Sequence, residues 1–460
     1  MKNIVILGAG ISGLATAHWL HRQNIDFTIL EAGNDPGGSI KTVRENGYTV
    51  DFGPNSGLET SPFIRELVSQ VGLDDEMVYA SETSNKRYIL KNDELMPLPM
   101  TPGTFFKSAL FSVPGKLRLL KEPFVGRSID GYNQSIAEFV ERRLGREFLD
   151  YAIDPFVSGV FAGDAEKLSV KSAFPKLYRL EEVYGGLIKG MVKGARERKE
   201  AKKRNEESKQ SARMFSFKSG MGILPETIAR QFPDRIIYGC RVTNVKKENG
   251  KFSITYEKQG SLHELKTDIL HSTLPAHIAA KVFTDFDLNL GEHFTDVYHP
   301  PVKVLFAAYK KSSIKTPLDG FGFLIPSKEK KIFLGAIWSS VIFENRAPSN
   351  QAGFTIFIGG ARNSDIFRRF GNDLEQKVLT EFQRIMKIDF DPVFTRSRMW
   401  DKAIPQYNLG YNLHEDYFTK IELENPGLVL SGNYRGGISI GDCFKNSKPA
   451  AERILNLIPV

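Results

Sequence analysis

Short apolar runs alternate with turns and amphipathic stretches along most of the chain. The first run, at residues 4–7, leads into glycines and a helical pattern with apolar residues at Ile11, Leu14 and Leu20. A second apolar run follows at residues 27–30. Because continuous apolar runs of this length are typical of strands buried on both faces, the pattern predicts a strand–turn–helix–strand unit.

The remaining pattern predicts a cofactor domain assembled from separated segments. Strand-like runs recur at 215–290 and 300–395, whereas residues 91–210 have a charged, helix-like periodicity. A last apolar run at 427–430 precedes a glycine-rich turn and a helical run. A chain of 460 residues is too long for one compact core, so we expect two or three lobes.

The glycines after the first run, Gly8, Gly10 and Gly13, have the spacing of a dinucleotide-binding turn. A tight turn, a close approach to a pyrophosphate and close helix–strand packing each favour a residue without a Cβ. The following helix directs N–H groups and a partial positive charge at the phosphates. Glu31 ends the second strand, where its carboxylate accepts ribose hydroxyls and repels a 2′-phosphate. The unit predicts a nucleotide cofactor other than NADP.

A second glycine cluster, between residues 431 and 442, favours a flavin over a nicotinamide cofactor. FAD is long, so its isoalloxazine ring needs a site remote from the adenosine. A glycine-rich turn at a helix start directs backbone N–H groups at the ring and stabilises negative charge there. Two glycine sites, one near each end of the chain, therefore predict FAD.

Composition and charge narrow the class of protein. Hydrophobic residues make up 41% and charged residues 25% of the chain, an ordinary balance for a water-soluble protein. Cys240 and Cys443 lie far apart, so we expect no disulfide framework and a reducing compartment. We see no signal peptide and no apolar run of about 18 residues, so we expect a cytoplasmic location. The histidines show no metal-ligand spacing and no motif indicates nucleic-acid binding, so we predict no metal and no nucleic acid.

Two segments leave open a peripheral membrane contact. Residues 193–213 carry nine Lys or Arg and four Glu, which is +5 of the net charge of +8. Residues 98–125 interleave Phe and Leu with basic side chains. Such a pattern is typical of a membrane surface contact, in which aromatic rings enter the lipid headgroup zone and basic side chains pair with lipid phosphates. A solvated helix or loop at 193–213 and a core-facing amphipathic segment at 98–125 are the alternatives.

Three further motifs resemble one family. They lie at residues 154–169, 399–410 and 433–443. Together they resemble the FAD-dependent protoporphyrinogen and coproporphyrinogen oxidases of the flavin amine oxidase-like superfamily, and the likeness runs along nearly the whole chain. Amine oxidases and phytoene desaturases share the first glycine motif but not the patterns at 159–169 or 404–410.

The resemblance implies an oxygen-dependent oxidoreductase of haem biosynthesis. Its reaction would be oxidation of protoporphyrinogen IX to protoporphyrin IX, with six electrons removed in three flavin cycles. Oxidation of coproporphyrinogen III to coproporphyrin III is the close alternative, although two further propionates need more cations, for which Lys86 beside Arg87 is only a hint. Another flavin amine oxidase or desaturase and a non-enzymatic, escort-like binding protein are the remaining alternatives.

The resemblance also implies the architecture and the partners. We expect an α/β fold with a Rossmann-type FAD-binding domain, an inserted mixed α+β substrate domain and a helical, membrane-associated lobe. The partners would be a porphyrinogen and molecular oxygen, with peripheral contact at the inner face of the cell membrane and a homodimer left open. The expected boundaries are 1–58, 215–290 and 396–460 for the FAD domain, 59–90 and 291–395 for the substrate domain, and 91–214 for the helical lobe.

Site residues follow from the resemblance by position. For the substrate, Arg87 would pair with a propionate, Phe321 and Leu324 would form an apolar wall, and the Gly159 carbonyl would accept a pyrrole N–H. No side chain is assigned as catalytic, since the flavin carries the redox chemistry. The implied cofactor contacts are Gly8, Ala9, Gly10, Ile11, Ser12, Gly13, Glu31, Ser39, Gly53, Pro54, Asn55, Ser56, Val242, Trp400, Ile438, Ser439 and Ile440.

Overall fold

A five-stranded parallel sheet brings the two ends of the chain together. The computed structural model describes residues 2–194 and 212–458, and the N-terminal strand lies at the centre of this sheet. Its four side chains are at most 3% exposed, which explains why its sequence is continuously apolar. In spatial order the strands are Ile236–Ile237, Thr28–Leu30, Ile4–Leu7, Ile269–Ser272 and Leu428–Leu430.

The first and last helices of the described chain, Ile11–Arg22 and Ile440–Asn456, pack against one another beside this sheet. The Trp19 indole N–H donates to the Ser447 hydroxyl over 3.0 Å. Their packing brings the two glycine-rich segments of the sequence to the same side of the molecule as this sheet. The other helices of at least seven residues outside 91–214 are Pro62–Gln70, Ile223–Ala229, Ala276–Val282, Leu288–Asp296, Leu374–Met386 and Tyr411–Glu424.

A seven-stranded mixed sheet forms a second layer. All neighbouring strands are antiparallel except Gly320–Leu324 and Lys86–Lys91, which are parallel. The Leu374–Met386 helix covers one face, where Phe382 lies among buried aromatic rings. In spatial order the strands are Phe394–Trp400, Val302–Lys310, Gln351–Gly359, Gly335–Ile337, Gly320–Leu324, Lys86–Lys91 and Glu94–Pro97.

Smaller antiparallel sheets and short helices complete the α/β part of the molecule. The sheets comprise Arg241–Glu248, Lys251–Lys258 and Ser261–Thr267; Gly57–Leu58, Met214–Phe217 and Met77–Tyr79; and Thr42–Glu45 with Tyr48–Asp51. The short α- and 3-10 helices are Glu82–Asn85, Pro233–Arg235, Lys311–Ser313, Ser327–Glu329, Ser339–Ile342, Ile366–Phe370 and Gly371–Asp373.

Residues 98–194 are mainly helical and are fixed by a buried ion network. Arg143 is fully buried, and its guanidinium pairs with Glu122 over 2.5 Å and with Glu181. A buried cation with two carboxylate partners ties three helical segments together. Residues 187–194 are also helical. The other elements are Pro102–Lys107, Val113–Leu119, Glu122–Phe124, Ile136–Leu144, Arg146–Phe148, the π-helical Leu149–Ile153, Asp154–Phe161, Val170–Ala173 and Pro175–Tyr184.

This architecture confirms the predicted α/β class, with a parallel sheet, a mixed sheet and a helical lobe. The domain boundaries and the membrane contact of the lobe stay predictions. Most of the basic segment at 193–213 lies outside the described residues. Within 2–194 and 212–458, no helix has both the length and the apolar character needed to cross a membrane.

Candidate flavin and substrate site

The N-terminal glycine turn is closely packed at both outer glycines. Gly8 has a φ of +97° and donates its N–H to the Leu30 carbonyl over 2.9 Å. A Cβ at Gly13 would lie only 2.2 Å from the Gly8 carbonyl oxygen, which no real contact permits. The Thr273 hydroxyl donates to the carbonyls of Leu7 and Gly8 over 2.8 and 3.2 Å. The turn is therefore rigid and requires glycine at both positions.

The space in front of the following helix fits a phosphate group. Gly10 is the N-cap residue and provides no side-chain cap. A Cβ at Gly10 would meet no atom of the described residues within 4 Å. The Ser12 N–H group has no backbone acceptor among the described residues, and an uncapped helix start of this kind is the arrangement that binds pyrophosphates.

Glu31 lies beside this turn with both carboxylate oxygens in use. They accept the N–H groups of Ala9 and Gly33, each over 2.7 Å. Each oxygen keeps a second lone pair, so the carboxylate can still accept ribose hydroxyls. The Glu31 carbonyl accepts the N–H of Cys240 over 2.8 Å, which brings the buried Val242 towards the same end of the site.

A second segment, residues 52–58, connects the two glycine regions. A Cβ at Gly53 would lie 1.9 Å from the Ser39 carbonyl oxygen, so these two backbones are in direct contact. The Trp400 indole N–H donates to the Phe52 carbonyl over 2.8 Å. The Asn55 carbonyl accepts the Ser216 hydroxyl over 3.1 Å, and Pro54 and Ser56 belong to the same segment.

The C-terminal helix begins against this segment. A Cβ at Gly441 would lie 2.9 Å from the Leu58 carbonyl oxygen. Ser439 caps the helix, because its hydroxyl accepts the Asp442 N–H over 3.1 Å and donates to that residue's carboxylate over 2.6 Å. Among the described residues no acceptor meets the N–H groups of Ile438 or Ile440, so these groups are available to a ligand.

The three motifs that carried the family resemblance meet at Tyr407. Its hydroxyl donates to the Asn433 carbonyl over 2.9 Å and accepts the Gly437 N–H over 3.0 Å. Its carbonyl accepts the Ser169 N–H over 2.9 Å, and its ring packs edge-on against Phe161. Residues more than 200 positions apart in sequence thus form one contact cluster.

Gly159 and Leu324, two predicted substrate residues, are in contact. A Cβ at Gly159 would lie 2.7 Å from a Leu324 methyl carbon, so the Asp154–Phe161 helix packs on the strand there. No donor of the described residues bonds the Gly159 carbonyl, which lies in the last turn of the helix. Phe156 and Val160 on the same helix are 46% and 39% exposed, and they present an apolar surface.

Arg87 and Phe321, the other two predicted substrate residues, are also in contact. The Arg87 guanidinium lies over the Phe321 ring, 5.4 Å from its centroid. No carboxylate of the described residues pairs with Arg87, and partial desolvation lowers the pKa of its guanidinium from the ordinary value. Lys86, by contrast, pairs with Asp319, which also accepts the Tyr88 hydroxyl over 2.6 Å. Because strand side chains alternate, Lys86 and Arg87 point to opposite faces of the sheet.

One small cavity joins the cofactor segment to the substrate strand. Asn55, Ser56 and Phe321 line it together with Arg346, and its volume is about 10 Å³, which is space for one water. The structure therefore brings predicted cofactor and substrate residues to the same place. Whether each of them contacts a ligand stays a prediction.

Sequence reasoning missed the residues that support these segments. Thr273 follows the strand beside the central one, so its place at the carboxyl edge of a parallel sheet was a usable signal. Arg346 donates to the Ser216 hydroxyl over 2.8 Å and so supports Asn55 indirectly. No local pattern marks Arg346, since its partners lie about 130 positions away.

Comparison with known proteins identifies the family. The family model described as flavin containing amine oxidoreductase matches residues 11–455. The Arabidopsis thaliana protein named protoporphyrinogen oxidase 2, chloroplastic/mitochondrial, is 32% identical over 99% of this chain and 94% of its own length. The Bacillus subtilis protein named coproporphyrinogen III oxidase is 27% identical over 99% of this chain and 98% of its own length. The chain belongs to the flavin containing amine oxidoreductase family.

Solved structures share the fold. A protein from Exiguobacterium sp. 255-15 superposes with a TM-score of 0.79 at 20% identity, over 98% of both chains. Reduced UDP-galactopyranose mutase superposes with a TM-score of 0.75 at 15% identity, over 100% of this chain and 97% of the other.

These findings confirm the predicted family resemblance and the enzyme class, an FAD-dependent oxidoreductase. They also confirm the predicted cofactor, FAD. The uncapped helix at Gly10 and the available N–H groups at Ile438 and Ile440 fit the two ends of that molecule.

Proposed function

We propose that the protein oxidises a porphyrinogen in haem biosynthesis and that this substrate is protoporphyrinogen IX, giving protoporphyrin IX. The relatives named as protoporphyrinogen and coproporphyrinogen III oxidases match 99% of the chain, which supports the porphyrinogen class. The observation that carries the choice of substrate is the guanidinium of Arg87, which has no carboxylate partner among the described residues and lies over the Phe321 ring. Coproporphyrinogen III to coproporphyrin III is the second candidate.

The charge around Arg87 and Phe321 favours the substrate with fewer propionates. Protoporphyrinogen carries two propionates and coproporphyrinogen four, so the latter needs more cations. Lys86 does not supply one, because it lies on the opposite face of the sheet and pairs with Asp319. Arg87 remains as a bidentate partner for one propionate.

The cofactor residues are proposed on the geometry of the two glycine regions. The N–H groups of Ile11, Ser12 and Gly13 would hold the pyrophosphate, while Glu31 would accept the ribose hydroxyls and Val242 would pack at the adenosine end. The remaining predicted contacts would line the path of the cofactor towards the ring: Gly8, Ala9, Gly10, Ser39, Gly53, Pro54, Asn55, Ser56, Trp400, Ile438, Ser439 and Ile440.

Four residues would bind and orient the substrate. When bound, FAD supplies two-electron redox chemistry, and molecular oxygen is the proposed final acceptor. Phe321 and Leu324 would exclude water from one side of the macrocycle. The Gly159 carbonyl would accept a pyrrole N–H, which the absence of a Cβ permits at close range. Arg87 would fix the rotation of the macrocycle through a propionate.

The proposed location is the cytoplasm, with peripheral contact at the inner face of the cell membrane. Apolar side chains support this contact, since Phe106, Leu117 and Phe124 are 62%, 57% and 89% exposed. Lys107 and Lys121 lie among them in sequence. The predicted homodimer and the domain boundaries stay proposals, and the separate parallel and mixed sheets support the latter.

Steady-state assays with both porphyrinogens test the function directly. The FAD-loaded protein is mixed with each substrate in turn, and porphyrin fluorescence and oxygen uptake are recorded. With protoporphyrinogen IX we expect both an increase in porphyrin fluorescence and oxygen uptake. We also expect a higher kcat/KM for protoporphyrinogen IX than for coproporphyrinogen III. A higher kcat/KM with coproporphyrinogen III would establish the second candidate, and activity with neither would refute the function.

Arg87→Ala tests the proposed substrate cation. Loss of a charge-assisted pair in a partly wet site costs about 1.5–3 kcal/mol, so kcat/KM is expected to fall about 10- to 150-fold, mainly through KM. Lys86→Ala is the matched control, because Lys86 is next to Arg87 on the strand but faces the other side of the sheet and pairs with Asp319. Equal kinetics in the two variants would remove Arg87 from the site.

A further inference from the structure

The loop from Gly432 to Gly437 has a conformation that depends on outside support. Gly432, Gly436 and Gly437 have φ values of +141°, +71° and +122°. These values lie in the region that only glycine adopts readily, and glycine has the largest conformational freedom to lose on ordering. The loop therefore needs contacts from elsewhere to keep one shape.

Tyr407 supplies the first of these contacts. Its hydroxyl bridges the loop, donating to the Asn433 carbonyl over 2.9 Å and accepting the Gly437 N–H over 3.0 Å. Burial raises the pKa of Tyr407 well above the usual range, so the hydroxyl stays a neutral donor. One side chain thus fixes both ends of the segment 433–437.

Tyr411 and Glu415 continue the same line of support. The Tyr411 hydroxyl donates to the Tyr434 carbonyl. Burial raises the pKa of the Glu415 carboxyl, and the neighbouring Gly436 N–H offsets part of that rise. The Tyr407 ring stacks on that of Tyr411 with 4.3 Å between centroids. The three side chains are spaced four residues apart, and each contacts a different backbone group of the loop.

These contacts divide the backbone groups between the protein and the ligand. The Gly437 N–H donates to the Tyr407 hydroxyl, and the Gly436 N–H acts on the Glu415 carboxylate. The next N–H groups, of Ile438 and Ile440, have no acceptor among the described residues. The fixed loop therefore sets the direction of the two free N–H groups.

We propose that Tyr407, Tyr411 and Glu415 are positioning residues that hold this loop and thereby direct the N–H groups of Ile438 and Ile440 at the flavin ring. The inference rests on the cofactor contacts assigned under the proposed function. N–H dipoles directed at the ring favour the negative charge that a flavin gains on reduction. A loosened loop therefore lowers the reduction potential as well as the affinity for FAD.

The test compares variants of these residues with a control on the same helix. Tyr407→Phe removes two hydrogen bonds, and we expect the FAD dissociation constant to rise about tenfold, with a lower flavin reduction potential. Glu415→Leu is expected to shift both in the same direction, whereas Glu415→Gln retains an acceptor for Gly436 and stays near the parent. Tyr417→Phe is the matched control, since its hydroxyl donates to Asp287 over 2.9 Å rather than to the loop.

The reduction potential separates positioning from general stability. If Tyr407→Phe and Glu415→Leu keep the parent's potential and FAD affinity, as Tyr417→Phe is expected to, the inference is overturned. The measurements use FAD alone, without a porphyrinogen. An FAD-loaded parent that oxidises no porphyrinogen would contradict the proposed function and leave this inference standing.

Discussion

The two glycine regions, which we propose bind opposite ends of one cofactor, are supported by different means. At the N-terminal turn Gly8 and Gly13 pack closely and Leu30 lies nearby, while one distant hydroxyl, that of Thr273, adds two hydrogen bonds. The helix N-terminus there is left without a side-chain cap. At the C-terminal loop the helix is capped by Ser439, and the support comes from side chains about 20 to 30 positions earlier in the chain.

The difference reflects what each end has to bind. A pyrophosphate is charged and is attracted by several unpaired N–H groups at once, so an open helix start is sufficient. A flavin ring is held and tuned by a few N–H groups in fixed directions, so the loop before the helix must be rigid.

Gly13→Ala should have the largest effect of the glycine substitutions, and it should act on the fold itself. The new Cβ would lie 2.2 Å from the Gly8 carbonyl oxygen and 2.9 Å from the Thr273 hydroxyl. The Gly8 backbone cannot move away without disturbing the turn, so we expect a loss of about 3 kcal/mol in the free energy of unfolding of the apoprotein. Urea denaturation measures it, and an unchanged midpoint would contradict the packing described here.

Gly10→Ala should leave the fold intact and weaken cofactor binding. Its φ of −71° suits any residue, and its Cβ would meet no described atom within 4 Å. The methyl group would instead occupy the space assigned to the pyrophosphate, so we expect the FAD dissociation constant to rise about 10- to 100-fold. Parent-like affinity for FAD would show that the phosphates lie elsewhere.

Acid should act through a histidine beneath the C-terminal loop. His271 is fully buried beside Ser431, and burial lowers its pKa from 6.5 to about 3. The unfolded chain therefore binds the extra proton first, and stability falls as pH drops from 6.5 towards 3, by about 1.4 kcal/mol per pH unit for this site. The free energy of unfolding, measured with urea at several pH values in this range, should depend less steeply on pH for His271→Gln than for the parent. The exposed His263→Gln should keep the parent's pH dependence. Equal slopes in the two variants would exclude His271.

Ser439→Ala should have the smallest effect. Its hydroxyl is used for the capping box with Asp442, so its loss should cost about 1 kcal/mol of stability and change FAD affinity little. Ser135→Ala is the matched control, because Ser135 forms a capping box with Glu138 away from the glycine regions. A tenfold loss of FAD affinity in Ser439→Ala alone would assign the hydroxyl itself to the cofactor.

The contrast also explains what could be predicted from the sequence. The N-terminal turn was predictable because its glycines and Glu31 lie within about 30 residues and each acts through its own backbone or carboxylate. The strands at 302–310 and 351–359 were predictable from their apolar runs. The support of the C-terminal loop by Tyr407 could not be predicted, since no spacing in the sequence indicates that its hydroxyl contacts the Asn433 carbonyl.

The predicted substrate residues show the same limit. Arg87 and Lys86 are equivalent neighbours in the sequence, and the hint of a second cation came from that adjacency. Only the strand geometry separates them, because alternation puts Lys86 on the opposite face with Asp319. The packing of Gly159 on Leu324 likewise depends on a helix and a strand that are about 165 residues apart.

Hydrogen exchange with and without FAD tests most directly whether both glycine regions hold one cofactor. We expect one FAD per chain, and slower exchange on binding at the amides of residues 10–13 and also at 438–441. Protection at the first segment alone would contradict a single binding site built from both regions, because it would leave the C-terminal loop without a role in binding the flavin.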